Sequence, residues 1–168
     1  MALPEYEVFA LRYARLEERT RRDNFIAHDP HDDAMPMDYF VWLIRNGDRA
    51  ILVDTGFNAR AAAERGRTLA RCPIGALAHL GLTGEQIQDV VITHLHYDHA
   101  GNLGLLPNAR FHIQDEEVNY ACGRHMCKGL FRHAYDIEDV VDLVRRVYAN
   151  RVVFHNGREE IAPGVEVV

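Results

Sequence analysis

Asp89-Val90-Val91-Ile92-Thr93-His94-Leu95-His96-Tyr97-Asp98-His99-Ala100-Gly101-Asn102 decides how this 168-residue chain folds. Its first five residues form a short, nearly continuous apolar run, the pattern of a strand buried on both faces in a layered α/β protein. Four ligand-type side chains, His94, His96, Asp98 and His99, follow at once, at the carboxyl end of that strand. In an extended segment alternate side chains point the same way. His94 and His96 can therefore share one ion, with Asp98 nearby and His99 projecting to the other side, toward a second. Imidazole nitrogens and carboxylate oxygens suit Zn²⁺, and they also accept iron, manganese or cobalt. Ala100-Gly101-Asn102 then offers small residues where the backbone must pass close to the metals. A single histidine would be read as a cap or a core hydrogen-bonder; four such residues at one strand end are read as a metal cluster.

Outward from this stretch, the flanking pattern is that of alternating strands and helices. Residues 5–15 alternate apolar and polar in part and predict a first strand. Residues 20–37 are polar, hold two prolines and predict a long loop, a kind of segment that is often functional. Residues 38–44 and 50–53 flank Asn46-Gly47-Asp48, a hairpin signal, and the second run stops at Asp54-Thr55-Gly56. Residues 58–70 are rich in Ala and Arg and predict a helix. Residues 74–80 predict a short helix closed by Gly81, and Thr83 caps a single turn through Gln88. Downstream, 109–113 reads as a strand, 115–122 as a helix and 123–135 as irregular. Asp136 opens the clearest helix, with Ile137, Val140, Val141, Val144 and Val147 on one face and Glu138, Asp139, Asp142, Arg145 and Arg146 opposite. Short strands are expected at 152–154, 159–161 and 165–168.

Composition bounds the function classes. The length suits one domain with a real core. A formal net charge of -6 argues against a sequence-independent grip on nucleic acid, and Arg19, Arg21 and Arg22 read as a solvated patch. The amino terminus lacks a basic start and a long apolar stretch, and no segment approaches the ~18 apolar residues of a membrane span. The expectation is a cytoplasmic protein without membrane partners. Three cysteines, Cys72, Cys122 and Cys127, do not suggest a disulfide framework.

Three further groups carry a plain reading and a sharper one. Cys122, His125, Cys127 and His133 match no common zinc spacing and read as ordinary thiols and loop histidines. His28, Asp29, His31, Asp32 and Asp33 read as a solvated loop, with a substrate-facing role as the alternative. Tyr39, Phe40 and Trp42 read as sheet packing, with one face open to lining an acyl pocket.

The HxHxDH run of 94–99 followed by Ala100-Gly101-Asn102 resembles the signature of the metallo-β-lactamase superfamily. Ile51-Leu52-Val53-Asp54-Thr55-Gly56 is similar to that family's strand and D-T-G element, and Leu80-Gly81-Leu82, Ile87 and 89–93 follow its usual order. The aromatic hairpin behind Pro36, the DTGF turn and the helical stretch between Gln114 and Pro163 most resemble the N-acyl-homoserine lactonases. The resemblance covers about residues 35 to 168. It implies an α/β fold, an αββα sandwich, with two Zn²⁺ ions in the intact site. It assigns His94 and His96 to one metal, Asp98 and His99 to the second, and a proton-handling, catalytic role to Asp98. Asp54 matches a family aspartate that supports the ligands from behind; a turn or helix-cap role is the alternative.

The same resemblance expects a third metal histidine in a turn after a strand like 165–168, then a bridging aspartate and a last histidine. The sequence ends at Val168. The expectation is thus a single domain over 1–168 that represents the amino-terminal half of the sandwich and the start of the second. The function implied is a lactonase that opens N-acyl-homoserine lactones, or a related small lactone or ester. The alternatives are a glyoxalase II-like thioester hydrolase on the same scaffold, and an inactive, truncated remnant.

Overall fold

Alternation in the amino-terminal third builds a meander. The computed structural model describes residues 4–27, 30, 32–47 and 49–168. In it β1 (Glu7–Leu16), β2 (Met37–Asn46) and β3 (Arg49–Val53) pair antiparallel, with Val8 opposite Ile44 and Leu43 opposite Leu52. Gly47, at φ 53°, makes the tight turn between β2 and β3. The long predicted loop before β2 contains a 3₁₀ turn, Arg21–Asn24, and a bridge between Thr20 and Ala34. Asp32 in that loop pairs with Arg22 at 3.3 Å, whereas His28, Asp29 and His31 lie outside the described residues.

α1 (Ala59–Glu64) starts at Asn58, whose Oδ1 accepts from the Ala61 N–H at 3.0 Å. It is shorter than its composition predicts. Gly66 at φ 63° ends it, and the Arg67 N–H bonds back to the Ala62 carbonyl at 2.8 Å. Thr68–Leu69 becomes β4, paired with Ala14 and Arg15 of β1. A left-handed glycine and a sheet edge within reach override the helix propensity of the flanking Ala and Arg.

From β3 onward the pairing is parallel: β5 (Asp89–Val91), β6 (Arg110–Gln114) and β7 (Val152–His155) extend one mixed sheet of order β4-β1-β2-β3-β5-β6-β7. The pleat gives this sheet two distinct faces. Tyr39, Val41, Leu43, Leu52, Val90 and Phe111 point to one face and are buried with Ala121 and Leu143. These two come from α3 (Asp115–Ala121) and α5 (Ile137–Tyr148), with the single turn α4 (Gly129–Arg132) between them and the single turn α2 (Tyr97–Ala100) before β6. Val8, Phe40 and Trp42 point to the opposite face and are exposed. The aromatic alternation of the hairpin therefore divides: Tyr39 is core, and Phe40 and Trp42 pack together, centroids 6.0 Å apart, on the open face. A hairpin of β8 (Glu159–Ala162) and β9 (Val165–Val167) lies over part of that face, where Val165 and Val167 share a cavity with Val53, Val91 and His112.

The predicted apolar stripe of α5 is rotated from the face that is buried. Ile137 is 74% exposed, Val141 and Val144 are half-buried, and Asp139 and Leu143 are the buried residues. Asp136 caps the helix by accepting from the Glu138 N–H at 3.0 Å, and its other oxygen accepts from Arg60 of α1 at 2.6 Å. That ion pair joins the helix start to α1, and Leu143, with Val140 beside it, packs on the core.

The irregular stretch 123–135 contains the 3₁₀ turn Arg124–Cys127 as well as α4. There His125 stacks on Tyr120 at 5.3 Å, the His133 ring bonds the Leu130 carbonyl, and all three cysteines are exposed and free. No helix among the described residues is long and apolar enough to cross a membrane.

Candidate metal centre

Two strand ends make the site. β3 and β5 are parallel neighbours, so Asp54, just past β3, and Thr93, just past β5, emerge side by side. The Asp54 N–H still donates to the Val91 carbonyl, at 2.8 Å. Asp54 itself adopts φ 63°, an unusual conformation for a residue with a side chain. The turn swings the chain out of the sheet and leaves the carboxylate buried, 4% exposed, behind the histidine loop.

The two loops clasp each other through backbone. The Thr55 N–H donates to the His99 carbonyl at 2.7 Å, the Gly101 N–H to the Gly56 carbonyl at 2.8 Å, and Asn102 Nδ2 to the Thr55 carbonyl at 2.9 Å. A side chain at Gly101 would begin 2.8 Å from the Gly56 oxygen and 3.0 Å from Phe57 Cα. The small Gly101 after His99 is thus required by the D-T-G turn that packs on it. Tyr13, Tyr39, Phe57 and Tyr97 form an aromatic floor beneath, and the Tyr13 hydroxyl donates to the Asp98 carbonyl at 2.9 Å.

Thr93, which no motif singles out, is the hub. Its hydroxyl lies 2.9 Å from Asp54 Oδ2 and 3.0 Å from His94 Nδ1. A hydroxyl has one proton to give. It goes to the carboxylate, so the Thr93 oxygen accepts from His94 Nδ1–H. His99 Nδ1 lies 2.7 Å from Asp54 Oδ2, where only a donor is stable. In its neutral form each ring thereby carries its proton on Nδ1 and presents a bare Nε2, the outer hydrogen-bond arrangement that orients imidazoles toward a metal.

The imidazoles lie against one another. The His94 ring centroid is 4.4 Å from that of His96 and 3.9 Å from that of His99. His99 is thus not thrown to the far side, as an extended segment would have it. The α2 turn begins immediately after His96 and carries His99 back over His94. Asp98 Oδ2 stands 3.6 Å from His99 Nε2. Burial pushes the values of His94 and His96 below the ordinary imidazole range, and each is lowered further by a neighbouring histidine. Both are thereby held neutral. Burial opposes charge on His99 as well, yet its hydrogen bond to Asp54 and the Asp54 and Asp98 charges prevail and raise it.

A second set of supports comes from beyond the motif. Glu117 of α3 accepts from the Leu95 N–H at 2.7 Å and from the Tyr135 hydroxyl at 3.1 Å. The Tyr135 ring meets the His96 ring edge to face at 4.7 Å. Sequence spacing gave no signal for either residue.

Neutral imidazoles with free Nε2 atoms, next to a carboxylate, are the donor set of a divalent transition metal. Among the described residues no three such side chains converge as a closed metal site. The donors are of the right kind and adjacent, and the set is open.

The metallo-beta-lactamase superfamily profile matches residues 35–162. The chain belongs to that superfamily. An N-acyl homoserine lactonase of Agrobacterium fabrum, AiiB, is 28% identical, with 76% of this chain and 51% of that protein covered. A probable metallo-hydrolase of Mycobacterium tuberculosis is 27% identical over 48% of this chain and 30% of its own length. Among solved structures, a quorum-quenching N-acyl homoserine lactone lactonase superposes with a TM-score of 0.71 at 20% identity, over 99% of this chain and 62% of that one. An N-acyl homoserine lactone hydrolase with N-hexanoyl-L-homoserine at its catalytic metal centre gives 0.70 at 19%, over 99% and 65%. The α/β fold is that of the metallo-β-lactamase structures. The chain spans about half the length of the lactonase relative it matches and under two thirds of that first solved lactonase.

Proposed function

We propose that this metallo-β-lactamase-fold chain carries part of the active site of a metal-dependent hydrolase that opens N-acyl-homoserine lactones or related small lactones. The observation that carries it is the pair of tautomers fixed through Thr93 and Asp54, which leaves Nε2 of His94 and of His99 bare beside His96 and Asp98. His94, His96, Asp98 and His99 are the residues that would hold the metal, zinc by the chemistry of the donors. Such a metal acts as a Lewis acid and brings water deprotonation close to neutral pH.

The chain's own residues perform the rest. Asp98, on the first turn of α2, takes a proton on its carboxylate and returns it to the alkoxide as the ring opens. Asp54 and Thr93 hold the ligand tautomers, and Tyr135 backs His96. The lactone preference is supported by the likeness to AiiB, which is named as an N-acyl homoserine lactonase. This chain covers about half of that relative's length, so the activity is proposed for the protein as a whole.

The test is to load that protein with zinc and assay it on N-acyl-homoserine lactones and on glutathione thioesters. Ring opening that is abolished by a chelator and restored by zinc supports the reading. Turnover of thioesters alone would replace it with the glyoxalase II-like alternative, and failure to retain any zinc would leave a remnant.

A further inference from the structure

Away from the metal centre, four side chains from four strands form a continuous hydrogen-bonded line across the open face of the sheet. Asp89 Oδ1 on β5 lies 3.1 Å from His112 Nε2 on β6. His112 Nδ1 lies 2.9 Å from His155 Nε2 on β7. His155 Nδ1 lies 2.9 Å from Glu159 Oε2 on β8. The two rings stack, centroids 5.2 Å apart, and both histidines are buried, 6% and 3% exposed. Glu159 belongs to the β8–β9 hairpin, so the line ends on the element that lies over this part of the face.

The protons in this line can be counted. Three contacts each need one proton. Ionised carboxylates bring none, and two neutral imidazoles bring one each. Neutral rings therefore leave one contact with two acceptors facing each other, in a setting where an unpaired polar group is costly. A third proton completes all three. Its place follows from the surroundings. Arg110 donates to the same Asp89 oxygen at 2.7 Å, which keeps that oxygen an acceptor. The hydrogen bond from His155 holds Glu159 below the usual carboxylate range, so Glu159 does not carry it. Burial pushes His112 down despite its bond to Asp89. The count then leaves the extra proton with the two stacked rings, so that each carboxylate accepts from a ring and one ring donates to the other.

We propose that Asp89, His112, His155 and Glu159 form a one-proton latch that closes the β8–β9 hairpin onto the sheet and loosens it as pH rises. The direction follows from linkage. The latched pair keeps a proton that the released pair gives up as pH rises through the imidazole range, so latching weakens as that proton leaves. In the hairpin itself, Arg158 pairs with Glu166 of β9 at 2.9 Å, and Glu160 accepts from the Gly164 N–H at 2.6 Å. Gln114 holds Gly157 through both its amide atoms and does not titrate.

The test is hydrogen-exchange protection of the Val165 and Val167 amides, corrected for intrinsic exchange, from about pH 6 to about pH 9, a range that brackets the ordinary imidazole value. Above its midpoint the protection should fall about tenfold per pH unit, the slope of a single proton. Glu159→Gln is the decisive variant. Its side-chain amide donates to His155 Nδ1 and so supplies the missing proton without charge. That variant should keep the hairpin protected and lose the pH dependence. Ring nitrogen shifts of the unaltered protein give a second readout: at the low end of the range, His112 and His155 together should hold three protons. Two neutral rings across the range, flat protection, or a Glu159→Gln variant with the original midpoint would each overturn the latch.

Discussion

Asp54 Oδ2 and His99 Nδ1 lie 2.7 Å apart across 45 residues of sequence. The contact exists because parallel pairing of β3 with β5 sets the two strand ends together and because Asp54 takes a left-handed turn. It fixes the proton of His99 on the nitrogen that faces away from the ligand cluster.

Asp54→Ala should therefore weaken zinc binding by about 10–100-fold, the usual effect of removing a partner of a ligating imidazole. Competition with a chromogenic chelator measures it. An unchanged affinity would reduce Asp54 to a turn residue.

Glu117 supports the loop through its backbone rather than through a ligand. Glu117→Ala strands the Leu95 N–H and frees Tyr135 from its place against His96, and should cost about 1–3 kcal/mol in urea unfolding. Glu117→Gln retains a carbonyl oxygen at that position and should recover most of the loss.

Gly101 has no room for a methyl group, and every close neighbour is backbone: the Gly56 oxygen at 2.8 Å, Phe57 Cα at 3.0 Å and the Tyr97 oxygen at 3.1 Å. Gly101→Ala should lower stability by about 1–3 kcal/mol and the melting temperature by several degrees. A thermal melt equal to that of the unaltered chain would show that the two loops can separate freely.

Asp139 is buried on α5, and among the described residues its Oδ2 has no hydrogen-bond partner. Burial, with the Asp136 charge beside it, pushes its value up to about 7. The folded value lies above the unfolded one, so the folded state holds the extra proton. Stability from this group is complete below about pH 4 and declines as pH rises toward about 7. Asp139→Asn should be more stable than the unaltered chain at pH 8, by up to a few kcal/mol, with the gap closing toward pH 5. Urea titrations at the two values decide it; a gap of equal size at both would rule out titration of Asp139 as the cause.

Some of this architecture could be read before any coordinates. The buried run 89–93, the hairpin around Gly47, the Asp54-Thr55-Gly56 stop and the HxHxDH cluster each rest on local chemistry. Apolar periodicity and turn residues act within a few positions and yield the expected elements, and the short spacing of the cluster brings its side chains together. The lengths and faces of helices were harder. Residues 65–70 have helical composition, yet Gly66 and the free edge of β1 turn them into a strand. The α5 stripe is genuine in the sequence, but docking against the sheet buries Asp139 and Leu143 and leaves Ile137 exposed.

The sequence by itself determined the superfamily pattern, the parallel core strand and the identity of the four candidate ligands, because these depend on residue types at fixed short spacing. The tertiary structure alone decided that Thr93, Glu117 and Tyr135 support those ligands, that His99 folds back over His94, and that His112 meets His155. Such contacts join residues far apart in the chain. Their partners are selected by strand order and helix docking, and a side chain's neighbours across a sheet leave no trace in its own local spacing.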